Sequence, residues 1–462
     1  MDTVQDTILD SVKKIHFVGI GGSGMSPLVE ILHTLGYAIT GSDNNESDNL
    51  ARLRRLGVTV YMGHDASHLG DAELVVYTAA VHMDNPELQE AVRRQLPMRE
   101  RAKLLGLISR RYDHAIAVAG THGKTTTSSM LSQILLEAEK DPSVFIGGRL
   151  PLIDANGRAG KSGLMVCEAC EFQDHYLEMR PAVSIILNVD ADHLDYFGSL
   201  ENVIASFHRF AGLTRDAVIY NCDDAHACEA VKELPDGLRL ISCGLSDGCE
   251  WHAKNIRFEH GSYGVYDLYH NGEFLTQIRL GVPGEHNIYN SLTAAAAATL
   301  YGVTPEQLAQ GLAHFQGAGR RFERLGTFAG VAIVDDYAHH PTEIAATLRT
   351  AKAMGYDQVW AVFQPFTFSR TARHLEEFAN ALAIADRVVV SDIMGSREVN
   401  TFGVHSQQIT DRIDGSVYLA TFPEIAEFVA ARAQPNDLVV TMGGGDIYKC
   451  ARMIRDKLNA KN

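Results

Sequence analysis

A nearly all-apolar run, Ala115-Ile-Ala-Val-Ala119, is followed at once by Gly120-Thr-His-Gly123-Lys124-Thr125-Thr126, and a helical pattern then runs from 124 towards 138. A buried strand that breaks on glycines and restarts as a helix fits few architectures. It predicts a mostly parallel sheet with its helices on the faces. It also leaves the N–H groups of a helix start free at the carboxyl edge of that sheet. The same device occurs earlier in the chain. Ile15-His-Phe-Val-Gly19 runs into Gly19-Ile-Gly21-Gly22-Ser23-Gly24, a G-x-G-x-x-G turn, with a helix expected from about 24 to 35. A second strand over 37–40 leads to Gly41-Ser42-Asp43, and an apolar strand over 73–77 continues the alternation.

Two such starts in 462 residues predict several domains in series. The second segment adds strands over 163–167 and 183–188. Shorter strands with glycine turns such as His270-Asn-Gly272 follow between 217 and 282, and an alanine-rich helix over 287–301 closes the unit. After Gly317-Ala-Gly319, strands over 331–335, 358–363, 387–391 and 437–441 alternate with helices. The expected fold is α/β in three domains: a Rossmann-like domain over 1–111, a central P-loop ATPase-like α/β domain over 112–317, and a Rossmann-like domain over 318–462. No repeat of solenoid period and no low-complexity tract interrupts them.

Composition removes several function classes. A formal charge of −16 argues against non-specific nucleic-acid binding, which needs clustered Lys and Arg. Seven cysteines at scattered spacings do not form a disulfide framework. The polar opening MDTVQDTILD is no secretory signal, and no apolar run is long enough to span a bilayer. The expectation is a reduced, cytoplasmic protein without stable membrane association, a monomer or a homodimer.

Chemistry concentrates at the two turns. Gly19, Gly21, Gly22, Ser23 and Gly24 let a diphosphate approach the backbone, with Ser42 and Asp43 placed for the attached ribose or sugar. That turn alone does not separate NAD from UDP, so an NAD-dependent oxidoreductase stays open, and Asp43 can equally be a turn-forming residue. At the second turn, Gly120, Thr121, His122, Gly123, Lys124, Thr125 and Thr126 suit the phosphates of a nucleoside triphosphate. Lys124 neutralises the β and γ oxygens, and a threonine hydroxyl is available to Mg2+. Val118 stands where the longer G-x-x-x-x-G-K-T form has its first glycine. Cys167-Glu-Ala-Cys170 has neither a second zinc-spaced pair nor a thioredoxin-like context, and reads as structural.

The segment A-G-T-H-G-K-T-T-T resembles the phosphate loop of the Mur ligases, and further segments similar to that family recur in order. Glu168 resembles its magnesium-binding glutamate. Asn188-Val-Asp-Ala-Asp192-His193 is similar to its N-x-x-x-D-H segment, with His193 at or beside a metal. Gly284-Glu-His286-Asn287-Ile-Tyr-Asn290 resembles the motif whose Asn287 and Asn290 meet ATP. Arg320-Arg321-Phe322-Glu323 resembles the linker that brings Arg321 near the γ-phosphate. In Asp335-Asp336-Tyr337-Ala-His339-His340-Pro341, Asp336 matches the residue on the nucleotide ribose.

The resemblance implies an ATP- and Mg2+-dependent carboxylate–amine ligase. Its member type adds L-alanine to the lactyl carboxylate of UDP-N-acetylmuramate through an acyl phosphate, in peptidoglycan precursor synthesis. A recycling type that attaches a ready-made tripeptide is the near alternative. The implied catalytic set is Lys124, Glu168, His193 and Arg321, with Thr125, Glu168 and His193 at the metals. Tyr337, His339, His340 and Arg370 are implied for the amino acid. The chain departs from the alanine-adding pattern at Gln364-Pro-Phe366-Thr367-Phe368-Ser369-Arg370, where Phe366 replaces a usual His and Phe368 a usual Tyr. No lysine suited to carbamylation stands in Val203-Ile-Ala-Ser-Phe207-His208-Arg209.

Overall fold

The computed structural model describes residues 6–78, 81–396 and 398–460. Three sheets carry them. The first has five parallel strands in the order Thr59–Met62, Ala38–Asp43, Lys14–Val18, Leu74–Tyr77, Met98–Glu100. Lys14–Val18 lies at its centre, with Ile15, Phe17 and Val18 fully covered. The chain leaves on one side of this strand and later returns on the other, so a crevice opens at its carboxyl end, where the Gly19 turn begins. The strand expected over 37–40 extends to Asp43. Gly41 is a pairing residue rather than a turn: it faces Phe17, and a Cβ there would approach the Phe17 carbonyl oxygen to 2.6 Å. The helix after the Gly19 turn, Ser26–Thr34, starts later than expected, with Pro27 in its first turn.

The second sheet has ten strands. Its parallel centre runs Arg239–Gly244, Ala217–Asn221, Val183–Ile186, His114–Ala119, Leu164–Glu168, Ser143–Leu150. Ile116, Val118, Val166 and Ile185 are fully buried, as strands covered on both faces require, and each such side chain contributes about 1.5–3 kcal/mol. Between 217 and 282 the expectation of short strands fails for the last three, Trp251–Glu259, Tyr263–His270 and Glu273–Pro283. They form a long-stranded meander, and alternating burial along them masks the strand signal in a plain hydropathy reading.

The third sheet runs Glu323–Phe328, Val331–Asp336, Leu438–Met442, Val359–Phe363, Arg387–Val390, Val417–Tyr418, with only the first pair antiparallel. By contacts the described chain forms two compact units. One is Met1–Lys254, Leu268–Thr276 and Tyr289–Leu312; the other is Asn255–Asp267, Gln277–Ile288 and Ala313–Asn462. Among the described residues no helix is long and apolar enough to cross a membrane.

The cysteine expectation needs one correction. Cys222 and Cys249 are bonded, because the parallel pairing of Ala217–Asn221 with Arg239–Gly244 brings the loops after both strands together. Cys167 and Cys170 are unbonded thiols; burial pushes Cys170 up to about 11 and Cys167 further. Raised thiol pKa values accord with the structural reading of the pair.

Candidate active site

The loop at Gly120 leaves the carboxyl end of His114–Ala119, whose sheet neighbours are Leu164–Glu168 and Val183–Ile186. Both neighbours serve it at that edge. Just past the second, the Asn188 amide grips the loop twice: its Oδ1 accepts from the His122 N–H at 2.8 Å, and its Nδ2 donates to the His122 carbonyl at 3.0 Å. Thr121 N–H donates to the Asn188 carbonyl, and the Thr121 hydroxyl accepts from the Asp190 N–H at 2.9 Å. His122 Nε2 lies 3.6 Å from an Asp190 oxygen. The Asn188 amide thus fixes the His122 backbone, while the ring lies towards Asp190. Gly120 and Gly123 have φ of +147° and +86°, and a Cβ at Gly123 would come within 2.8 Å of the Asn290 oxygen. These glycines are demanded by backbone and by space.

Lys124 opens the helix Lys124–Glu137, and its ammonium folds back over its own loop. It donates to the Gly120 carbonyl at 2.5 Å and to the Thr121 carbonyl at 3.0 Å, and lies 3.0 and 2.9 Å from the two Glu171 oxygens. Burial pulls its pKa down, but Glu171, Cys170 and Glu168 more than offset this, so it stays above the ordinary lysine value. Glu171 escaped the sequence reading. Its only signal is a second acid three residues after Glu168 in Cys167-Glu-Ala-Cys-Glu171.

Thr125 and Glu168 come together around Gly147. A Cβ at Gly147 would meet the Thr125 hydroxyl at 3.0 Å and the two Glu168 oxygens at 2.8 and 3.0 Å. Glu168 also accepts from the Gly147 N–H and lies 3.4 Å from the Ser128 hydroxyl. A point faced by three oxygens, and kept open by the absence of a side chain, fits a hard divalent cation such as Mg2+. His193 opens the short helix Leu194–Phe197 with φ of +54°. Its ring packs edge-on to Phe172 at 5.0 Å, which ties it to the Glu168–Glu171 segment, and its Nε2 lies 3.8 Å from Asp192. In the helix His286–Thr299, Asn287 is buried and donates to the Pro283 carbonyl at 2.7 Å.

At the first turn Gly19 has φ of +81°, and the N–H groups of Gly19 and Ile20 donate to the Ser42 carbonyl. The two Asp43 oxygens accept from Gly21 N–H at 2.9 Å and Asn45 N–H at 3.1 Å, so Asp43 braces the turn. Ser42 has a fully buried side chain. It donates to Glu87 at 2.5 Å and lies 3.0 Å from His64, within a cluster that includes His16 and His68. Burial works against the Glu87 charge, yet hydrogen bonds from His16, Ser42 and His68 hold its carboxyl down to about 2. Arg101 is a cation the sequence reading missed: an atom built on Gly24 would lie 3.1 Å from its guanidinium.

In the second unit Asp336 ends Val331–Asp336 and accepts from Phe322 N–H and Ala338 N–H, each at 2.7 Å. Burial raises its pKa to about 6, although Arg321 and these donors oppose the rise. Tyr337 has Arg320 and Arg321 over its ring at 4.8 and 5.1 Å. His340 caps the helix Pro341–Ala353 in a capping box with Glu343, and His339 Nδ1 lies 3.1 Å from Glu343. Phe366 is half-buried, with His339 edge-on at 6.5 Å; a Cβ at Gly444 would meet Phe366 at 3.2 Å and His339 at 3.4 Å. The glycine turn at 443–445 therefore packs against the Gln364–Arg370 segment. Arg370 is half-buried on the helix Phe368–Arg373.

Three family models match this chain: "Mur ligase family, catalytic domain" over residues 14–113, "Mur ligase middle domain" over 118–298, and "Mur ligase, glutamate ligase domain" over 320–445. The chain is also 41% identical, over 98% of its length and 98% of the relative's, to the UDP-N-acetylmuramate–L-alanine ligase of Acetivibrio thermocellus. The chain belongs to the Mur ligase family. Among solved structures this Mur ligase is similar to the UDP-N-acetylmuramate–alanine ligase of Thermotoga maritima, with 29% identity, a TM-score of 0.81, and 97% and 100% of the two chains covered. A murein peptide ligase from Psychrobacter arcticus follows at 25% identity and a TM-score of 0.73, covering 97% and 99%. The three-domain α/β expectation holds, and the oxidoreductase alternative falls away.

Proposed function

We propose that this Mur ligase is an ATP-dependent, ADP-forming enzyme that joins L-alanine to the lactyl carboxylate of UDP-N-acetylmuramate in peptidoglycan precursor synthesis. The observation that carries the reading is near-full-length similarity to alanine-adding relatives, on a chain whose Gly120 loop presents a buried lysine and an oxygen-lined point at Gly147.

At neutral pH an amine does not displace oxide from a carboxylate. A carboxylate oxygen must first attack the γ-phosphorus, ADP leaving, to give an acyl phosphate. The amine then attacks the carbonyl carbon; phosphate leaves and the nitrogen loses a proton. Two anions approach in the first step, so the protein's task is to quench charge and align the reactants. In our reading Lys124, with the N–H groups of Gly120–Thr126, holds the β and γ oxygens. Arg321 adds a second cation, Asn287 and Asn290 contact the nucleotide, and Asp336 accepts from its ribose. Thr125 and Glu168, with His193 at or beside them, hold Mg2+, which when bound supplies further positive charge to the phosphates. Gly19, Gly21, Gly22, Ser23 and Gly24 take the diphosphate of the UDP-sugar, with Arg101 as counter-charge and Asp43 and Ser42 bracing the turn. Tyr337, His339, His340 and Arg370 face the amino acid, Arg370 through its carboxylate, and the His340 capping box fixes the loop that carries Tyr337 and His339. We place the domain boundaries at 1–111, 112–317 and 318–462 and the enzyme in the cytoplasm, where ATP and UDP-sugars are made, as a monomer or homodimer.

Phosphate release from ATP, with UDP-N-acetylmuramate and a panel of L-alanine, glycine, L-serine and the recycling tripeptide, tests this. L-Alanine should give the highest kcat/KM. Turnover only with the tripeptide would transfer the chain to the recycling activity, and turnover with none would remove the substrate assignment.

A further inference from the structure

Lys124 is engaged by the protein's own groups. An ammonium has three N–H donors, and here they are directed at the Gly120 and Thr121 carbonyls and at Glu171. Those are the donors a triphosphate must recruit. Glu171 is 3% exposed, and its two oxygens lie 3.0 and 2.9 Å from the Lys124 nitrogen. Its location is a built feature rather than a side effect of Glu168. Glu168 ends a strand, whereas Glu171 opens an irregular turn in which Gln173 and Asp174 have φ of +53° and +59°. Two consecutive left-handed non-glycine residues are costly and persist only where surrounding structure enforces them. Here the turn is pinned by Asp174 N–H to the Glu171 carbonyl at 2.9 Å and by Arg209 on the Asp174 carboxylate at 3.1 Å.

We propose that Glu171 is a positioning residue that holds Lys124 withdrawn onto its own loop, so that nucleotide binding is an exchange of partners. The phosphates take Lys124 from Glu171 on entry, and Glu171 reclaims it when ADP leaves. A buried carboxylate that loses its cation next to phosphate oxygens opposes binding, so Glu171 weakens the ground-state grip on ADP and speeds its release. The inference rests on reading Gly120–Thr126 as the nucleotide site.

The test is titration of the full chain with ADP and magnesium by calorimetry, together with stopped-flow measurement of ADP dissociation. The variants are Glu171→Gln, Glu171→Asp, Lys124→Gln and the double change Lys124→Gln/Glu171→Gln. UDP-N-acetylmuramate affinity serves as the control for folding. Glu171→Gln should bind ADP about tenfold tighter and release it correspondingly more slowly, and Glu171→Asp, which keeps the charge, should return towards the original chain. In the Lys124→Gln background the Glu171→Gln gain should disappear. If Glu171→Gln binds ADP no tighter than the original chain, the inference is overturned. An equal gain in both backgrounds overturns it too, because Glu171 would then act as a bare negative charge and not through Lys124. Absence of ADP binding in the original chain, with UDP-sugar binding intact, would instead bring down the nucleotide reading itself.

Discussion

At Gly21 the turn's N–H is answered from its own sheet by Asp43, 2.9 Å away, and the Arg101 guanidinium lies against Gly24. At Gly120 the loop is clasped by Asn188 from one flanking strand and met by Glu168 from the other, and a lysine stands in the first turn of the helix. The frame is the same, strand then glycines then helix, and the charge placed around it is not. A turn closed by one carboxylate and lined by backbone suits a diphosphate that is held and never cleaved. A loop that gathers an ammonium, a hydroxyl and two carboxylates suits a phosphoryl group that moves, because that charge must be balanced while it migrates.

This contrast breaks first at Glu168. Glu168→Gln should cut the rate of phosphate release by about 10²–10³-fold and leave UDP-sugar affinity unchanged. A loss of less than tenfold would mean that the point beside Gly147 holds no catalytic cation. Gly123→Ala sharpens the contrast at smaller scale. It forces a left-handed backbone on alanine and pushes Cβ into Asn290, a cost of about 1–3 kcal/mol. It should raise the ATP KM by about tenfold or more, measured in the same assay. Gly22→Ala in the first turn meets only ordinary contacts, 3.4 Å to the Gly19 carbonyl and 3.6 Å to Met25. It should fold normally and raise only the UDP-sugar KM.

The smallest effect concerns pH. Burial lifts Asp336 to about 6, above its ordinary 3.8. The folded chain therefore holds that proton more tightly than the unfolded chain. Its contribution to stability is complete below about pH 4 and is lost as pH rises through 6. Binding runs the other way, because only the carboxylate accepts from a ribose hydroxyl with both oxygens. The ATP KM should rise about tenfold between pH 7 and pH 5, and Asp336→Asn should abolish the inflection at 6. A flat profile in the unmodified chain would detach Asp336 from the nucleotide.

Much of this was legible in order along the chain, because a strand, its glycines and its helix are neighbours in sequence. The loop at Gly120, the acid ending Leu164–Glu168 and the acid ending Val331–Asp336 all fall at strand ends that apolar runs announce. What stayed hidden depends on pairing between distant strands. The Asn188 clasp on His122 spans 66 residues and the Glu171–Lys124 pair spans 47. Neither residue type signals such a bond by itself. The Cys222–Cys249 bond was missed for the same reason, since only the parallel register brings its two loops together. Position along the chain places Ser42 and Asp43 for the sugar and leaves Asp43 open as a turn-forming residue. In the fold Ser42 turns into the buried Glu87 cluster and Asp43 braces the turn, roles that need the third dimension.

The separation of the two anion sites is tested most directly by titrating one preparation of Lys124→Ala with ADP and then with UDP-N-acetylmuramate. ADP affinity should fall by a hundredfold or so while the UDP-sugar dissociation constant stays within about twofold of the original chain. Equal losses for both ligands, or an ADP affinity that does not change, would contradict the assignment of the Gly120 loop to the moving phosphate and of the Gly19 turn to the stationary one.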